Sequence, residues 1–210
     1  MSRFGIIVEV DRCVGCQACA IACKEENQVP PSVFFLKILR SENIEDNVVN
    51  YYRASCQHCD NPACMKICPA KAISKGPHGE ILVDQKKCIG CHMCEKACPY
   101  GVPVFPSGVT SYYGDKKPLY ERPLEAWTTH PAGKAAHCTL CSHRLEKGQL
   151  PACVEACGIH AITLVDYDKP TEKTKPLIEK AVAMNEAAGT QPKVRYIAKH
   201  MDCKTFKMKL

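Results

Sequence analysis

Apolar residues in this chain come in short runs. FGIIV at 4–8, EILVD at 80–84 and TLVD at 163–166 each predict a brief β-strand running toward an acidic residue. After two of them the chain reads the same way: EVDRCVGC and LVDQKKCIGC are each a strand, an Asp turn and a loop through cysteine. PLIEKAVAMNEAAG at 176–189 has apolar positions at helical spacing and predicts an amphipathic helix ending at Gly189. Residues 99–137 are rich in Pro, Gly and aromatics and show little periodicity, which is long for a simple connection. No run approaches transmembrane length. The first apolar run is too short for a signal peptide, and Glu9, Asp11 and Arg12 follow at once. The pattern predicts an α+β protein, cytoplasmic by default, with no spanning segment of its own.

Composition changes this picture in one respect. Of 210 residues 17 are Cys, whereas aromatics make up 7% with a single Trp. Cysteine usage near this level signals a scaffold held by something besides apolar burial. The cysteines fall into four groups: Cys13, Cys16, Cys19 and Cys23; Cys56, Cys59, Cys64 and Cys68; Cys88, Cys91, Cys94 and Cys98; Cys138, Cys141, Cys153 and Cys157. Cys203 stands alone in HMDCKTFKMKL and reads as a free thiol on a mobile tail.

Groups one and three share C-x2-C-x2-C-x3-C, with Gly15 and Gly90 at matching places, where a missing Cβ lets the backbone pass close to a bound object. Groups two and four share C-x2-C, a spacer, P-A-C-x3-C and then Ala-Ile. The alternating order implies duplicated units. Group two pairs with group three, and group four closes back onto group one. The expected organisation is an outer unit of residues 1–53 plus 131–210, an inner unit of 54–98 inserted in it, and a long loop at 99–130. Tyr112, Tyr113, Tyr120 and Trp127 in that loop suit a partner-binding surface.

The C-x2-C-x2-C-x3-C run is the iron–sulfur pattern in which the fourth Cys ligates the neighbouring cluster. Three thiolates line a loop around the cluster, and a helix starting in the x3 step turns the fourth away. Pro69 and Pro99 shape the exit after Cys68 and Cys98, while Lys24 and Gly158 follow Cys23 and Cys157. Soft thiolates also select zinc, but zinc leaves the third Cys of the tight runs unexplained. Disulfides suit an exported chain. The crossing rule gives four 4Fe-4S clusters: Cys13, Cys16, Cys19 and Cys157; Cys23, Cys138, Cys141 and Cys153; Cys56, Cys59, Cys64 and Cys98; Cys68, Cys88, Cys91 and Cys94. His58 and His92 lie between ligands of full sets and read as exposed or supporting residues. The net charge of +6, without a run of five basic residues, offsets cluster charge of about −2 apiece rather than marking a nucleic-acid surface. Dinucleotide, P-loop and zinc-protease motifs are absent, so the chain reads as an electron carrier without bond chemistry of its own.

CVGCQACAIACKEEN, CQHCDNPACMKICP, CIGCHMCEKACPYGV and CTLCSHRLEKG followed by PACVEAC resemble the four-cluster iron–sulfur subunit of dimethyl sulfoxide reductase-type molybdopterin oxidoreductases. QPKVRYIA is similar to the tail of many members. The resemblance implies two ferredoxin-like units, each a β-α-β duplication. It implies a large catalytic partner carrying a molybdenum or tungsten bis-pterin. A membrane anchor exchanging electrons with quinone often completes such complexes, and some are exported folded with a partner carrying a twin-arginine signal. CGIH departs from the Cys-Pro usual in group four. Residues alone leave two other settings open: a free polyferredoxin, or a subunit of a hydrogenase or formate-lyase type complex.

Overall fold

A computed structural model describes residues 2–31, 33–45, 47–108 and 130–204. In chain order the elements are β1 (Phe4–Glu9), α1 (Ala18–Glu26), β2 (Leu36–Asn43), β3 (Val48–Ser55), α2 (Ala63–Ile67), β4 (Ile73–Lys75), β5 (Ile81–Val83), α3 (Met93–Ala97), α4 (Ser142–Leu145), α5 (Ala152–Glu155), β6 (Ile162–Asp166), α6 (Lys175–Lys180), β7 (Val182–Ala183) and β8 (Val194–Ile197). The architecture is α+β. The helices are short, α1 being the longest at nine residues. Among the described residues no helix is long and apolar enough to cross a membrane.

β1 explains its own placement. Ile6, Ile7 and Val8 are all buried, so both faces of the strand are covered and the run is continuously apolar rather than alternating. Ile6 and Val8 face the main core, and Ile7 packs with Val165 and Ala181 on the other side. Within the sheet, β1 pairs antiparallel with β6 (Phe4 opposite Asp166, Val8 opposite Ile162) and parallel with β8 (Ile6 beside Val194). β7 closes the outer edge of β8. A smaller antiparallel pair, β4 and β5, puts Ile73 opposite Val83. Helix α1 packs on α5, and α2 on α3.

Two sequence expectations change, and one element is new. The helix drawn over 176–189 covers only Lys175–Lys180. Val182 and Ala183 pair instead with Tyr196 and Arg195 of β8, and a 3-10 turn at Glu186–Ala188 ends on Gly189 with φ +64°. Sheet pairing outcompetes helical spacing there. Cys203 does not lie on a mobile tail: it is buried in the core, and its carbonyl accepts the Asn185 N–H. The β2–β3 hairpin, running from Leu36 opposite Ser55 to Asn43 opposite Val48, has no counterpart among the expectations. The inner end of β3 buries Arg53 and Ser55 beside Tyr52 and Ala54, which erases the polar–apolar alternation that marks a strand. In the 99–130 loop, Val104 bridges to Ala136 and Gly133 donates its N–H to the Pro106 carbonyl. Tyr112, Tyr113, Tyr120 and Trp127 lie outside the described residues.

Gly5 shows how closely the sheet is packed. A Cβ there would strike the Lys193 carbonyl of the adjoining backbone and the Tyr167 ring. Gly5→Ala is expected to lower stability by about 1–3 kcal/mol, read as a reduced midpoint of thermal or denaturant unfolding.

Candidate metal centre

The two tight cysteine runs have one backbone. After β1 a 3-10 turn, Val10–Arg12, delivers Cys13. After β5 the Asp84 carboxylate accepts the N–H groups of Lys86 and Lys87, and Cys88 donates its N–H to the Asp84 carbonyl. Both loops then pass through a left-handed glycine, Gly15 at φ +71° and Gly90 at +70°, and a left-handed helix N-cap, Gln17 at +64° and His92 at +60°. The helix therefore begins one residue before the third Cys, not in the x3 step after it. The glycines answer to protein packing. A Cβ on Gly15 would sit 2.7 Å from the Tyr51 ring, and one on Gly90 would strike the Gly133 carbonyl.

Groups two and four also share a backbone. Pro62 and Pro151 cap the short helices α2 and α5, which present Cys64 and Cys153. Turns then follow Cys68, Cys98 and Cys157, whose carbonyls accept the N–H of Lys71, Gly101 and His160. The turn forms at Cys157 without the proline, so CGIH keeps the geometry of Cys-Pro. In both groups the residue four positions on returns its N–H to sulfur: Ala72 to Cys68 Sγ and Ala161 to Cys157 Sγ, each at 3.3 Å. Three more amides point at sulfur: His58 to Cys56 at 3.5 Å, Ala135 to Cys88 at 3.4 Å and Leu140 to Cys138 at 3.4 Å.

The fold gathers the groups. One opening, of about 320 Å³ counting its mouth, is lined by Cys68, Cys88, Cys91 and Cys94 among apolar residues such as Ile73, Val83 and Phe105. A second, of about 370 Å³, is lined by Cys13, Cys16, Cys19 and Cys157 with Val8, Ile38, Ile162 and Arg53. Burial pushes the Cys23 thiol well above its ordinary pKa, and the nearby Cys138, Cys153 and Cys141 add to the rise. Cys64 is pushed up to about 12 by burial and then by Cys98 and Cys59. Burial likewise raises Cys56 strongly, with Cys138, Cys59 and Cys64 close to it. None of the seventeen cysteines is paired in a disulfide. Among the described residues no three His, Cys, Asp or Glu side chains converge closely enough to share a single metal ion.

Polar groups missed by the sequence reading complete the surroundings. Arg53 is buried, donating Nη1 to Ser55 Oγ at 2.6 Å and Nη2 to Cys153 Sγ at 3.7 Å, while its Nε has no partner. Asn27 Nδ2 lies 3.7 Å from both Cys23 Sγ and Cys141 Sγ. The only signal for Arg53 was a lone charge in the run YYRASC. His58 is buried, its Nδ1 accepts the Ile81 N–H at 3.0 Å, and burial, with His137 nearby, holds its pKa well below the usual value. His92 is exposed, stacked on Phe105 at 3.7 Å and bonded to Glu95 at 2.8 Å. Four thiols around an apolar opening, amides aimed at sulfur and a buried cation with no carboxylate partner among the described residues fit a bulky anionic cluster. Bound there, such a cluster supplies one-electron redox chemistry.

Fold and site together define an iron–sulfur protein. The family description "4Fe-4S dicluster domain" matches residues 47–111. The chain is similar to a selenate reductase subunit of Mesobacillus selenatarsenatis, with 34% identity over 91% of this sequence and 70% of that protein. It is similar to the arsenate respiratory reductase iron–sulfur subunit of Shewanella sp. strain ANA-3, with 33% identity over 93% of this sequence and 96% of that protein. It is also similar to one polypeptide of the anaerobic dimethyl sulfoxide reductase of Escherichia coli, with 33% identity over 82% of this sequence and 78% of that protein. The protein belongs to the iron–sulfur, electron-transfer subunits of the dimethyl sulfoxide reductase-type molybdopterin oxidoreductases.

The loop geometry has a direct test. Gly15→Ala puts a side chain at φ +71° against Tyr51 and is expected to cost about 1–2 kcal/mol. The expected readout is faster iron release under chelator than in the unaltered protein.

Proposed function

We propose that the chain relays electrons singly through four 4Fe-4S clusters, between a large molybdopterin catalytic subunit and a second redox partner such as a quinone-reactive membrane subunit. It performs no bond chemistry alone. Cys13, Cys16, Cys19 and Cys157 hold one cluster; Cys23, Cys138, Cys141 and Cys153 the next; Cys56, Cys59, Cys64 and Cys98 the third; Cys68, Cys88, Cys91 and Cys94 the fourth. The observation that carries this reading is the opening lined by Cys13, Cys16, Cys19 and Cys157, which joins the two ends of the sequence pattern in one cavity. The third Cys of each tight run favours a cluster over zinc, which draws two Cys from each of two separated loops.

Two ferredoxin-like units follow: an outer one from 1–53 and 131–210, and an inner one from 54–98. The β1–β6 pair with α1 on α5, and the β4–β5 pair with α2 on α3, support that division. The order along the relay is also supported. Cys19 lies near Cys153, Cys56 near Cys138, and Cys64 near Cys94, which links the four sets one to the next. Its ends reach the surface. Cys16 is exposed beside Val14 and Ile21, and Cys91 beside Ile89 and Met93. Exposed apolar residues around an end thiol suit docking of a redox partner. The loop at 99–130 is a further partner surface.

Anaerobically purified complex should contain about sixteen iron atoms per chain and show the brown absorption of cubane clusters. About four zinc and no iron would overturn the reading. Cys23→Ala should remove the cluster shared with Cys138, Cys141 and Cys153 and leave about twelve iron atoms. Loss of the Cys13, Cys16 and Cys19 cluster instead would reverse the crossing.

A further inference from the structure

Arg53 stands between two of the cysteine sets. Its side chain lines the opening formed by Cys13, Cys16, Cys19 and Cys157, and its Nη2 donates to Cys153 Sγ in the neighbouring set. It is 1% exposed. Its side-chain acceptors are the neutral Ser55 hydroxyl and the Cys153 sulfur, its Nε is unpartnered, and among the described residues no carboxylate pairs with it. An isolated buried guanidinium is costly, because it has left water without a countercharge. The charge is also permanent, since arginine stays protonated in proteins. Its positive field acts on Cys19, Cys23 and Cys138, and so on both sets at once. Among the described residues the inner sets have a different cation, whose field reaches Cys59. Their buried cation, Lys193, donates to the Gly79 carbonyl and lies 3.6 Å from Asp60, so its charge is already answered.

We propose that Arg53 is a tuning residue shared by the two outer clusters, and that its fixed charge raises the reduction potential of both relative to the inner two. The inference rests on the cysteine assignment of the preceding section. In the step concerned one electron leaves a reduced neighbouring cluster, which is thereby oxidised, and enters an outer one, which is reduced. No proton moves and no bond forms or breaks. The receiving cluster with its four thiolates goes from about −2 to about −3. Arg53 stabilises the added charge through a poorly screened interior, where a neutral side chain would not. A guanidinium donating to sulfur also favours the more negative state of the ligand it touches.

The test is a redox titration of the anaerobically purified complex, with dithionite as reductant and the cluster signals followed by electron paramagnetic resonance. Iron content is measured alongside, and the signal lost in Cys23→Ala identifies one outer cluster. Arg53→Gln should lower the reduction equilibrium constant of the outer clusters at least tenfold, about 59 mV for a one-electron couple, and leave the inner two within threefold. Arg53→Lys, which keeps the charge, should restore most of the difference. Outer potentials unmoved in Arg53→Gln, or all four lowered alike, would overturn the inference. If Arg53→Gln sheds iron, Arg53→Lys decides alone: outer potentials within threefold of the unaltered complex support the inference, and a tenfold fall overturns it. Absence of iron from the unaltered complex would instead defeat the cluster assignment itself, a different failure with a different signature.

Discussion

Sulfur buried where aliphatic side chains usually sit governs this structure. Cys19, Cys23, Cys56, Cys138, Cys153 and Cys157 share one continuous core with Ile6, Val8, Leu36 and Tyr196. As thiols they are small hydrophobes, and burial drives Cys19 to about 12 and Cys138 to about 11. As thiolates in the same places they would repel one another in a medium that screens poorly. The same interior thus tolerates two states only: protonated sulfur, or thiolate with a metal cluster to hold the charge. A bound cluster is therefore what would let these sulfurs ionise without leaving the core.

The local machinery that places the sulfurs is small and repeated. Helices of four or five residues have no stability of their own, since helix nucleation costs more than so few bonds return. They persist because a left-handed residue or a proline starts each and a cysteine turn ends several of them. The amides returned to Cys68 and Cys157 sulfur from four residues on are the same bond made twice. That Gly158 makes the turn at Cys157 as well as Pro69 does at Cys68 shows that proline favours this turn without being required for it.

What the sequence made legible was whatever repeats or is punctuated. The strands before Cys13 and Cys88, the strand after Cys157, and the paired glycines all recur at fixed offsets, so β1, β5 and β6 were readable, while the three residues of β4 were not. The purpose of the glycines was less legible. Gly15 looked like room for a bound object, and the structure puts Tyr51 there instead. The rest was hidden because it depends on partners distant in the chain. β7 is a strand only because β8 lies beside it, and Cys203 is buried only because Asn185 and Glu186 bond to the backbone around it. Arg53 was the hardest to read, since a charged residue in a strand ordinarily points to water, and its meaning rests on sulfurs about a hundred positions away.

The central position of β1 has a consequence for biosynthesis. Both of its sheet neighbours, β6 and β8, belong to the last quarter of the chain. At ribosomal speeds of 5–20 residues per second, Ile6, Ile7 and Val8 emerge on the order of ten seconds before either neighbour exists. During that interval the first strand of the protein is a bare apolar ribbon with two open edges, whereas β4 and β5 are made within a dozen residues of each other and can pair at once. The β4–β5 pair can therefore form while β1 still waits for both of its partners.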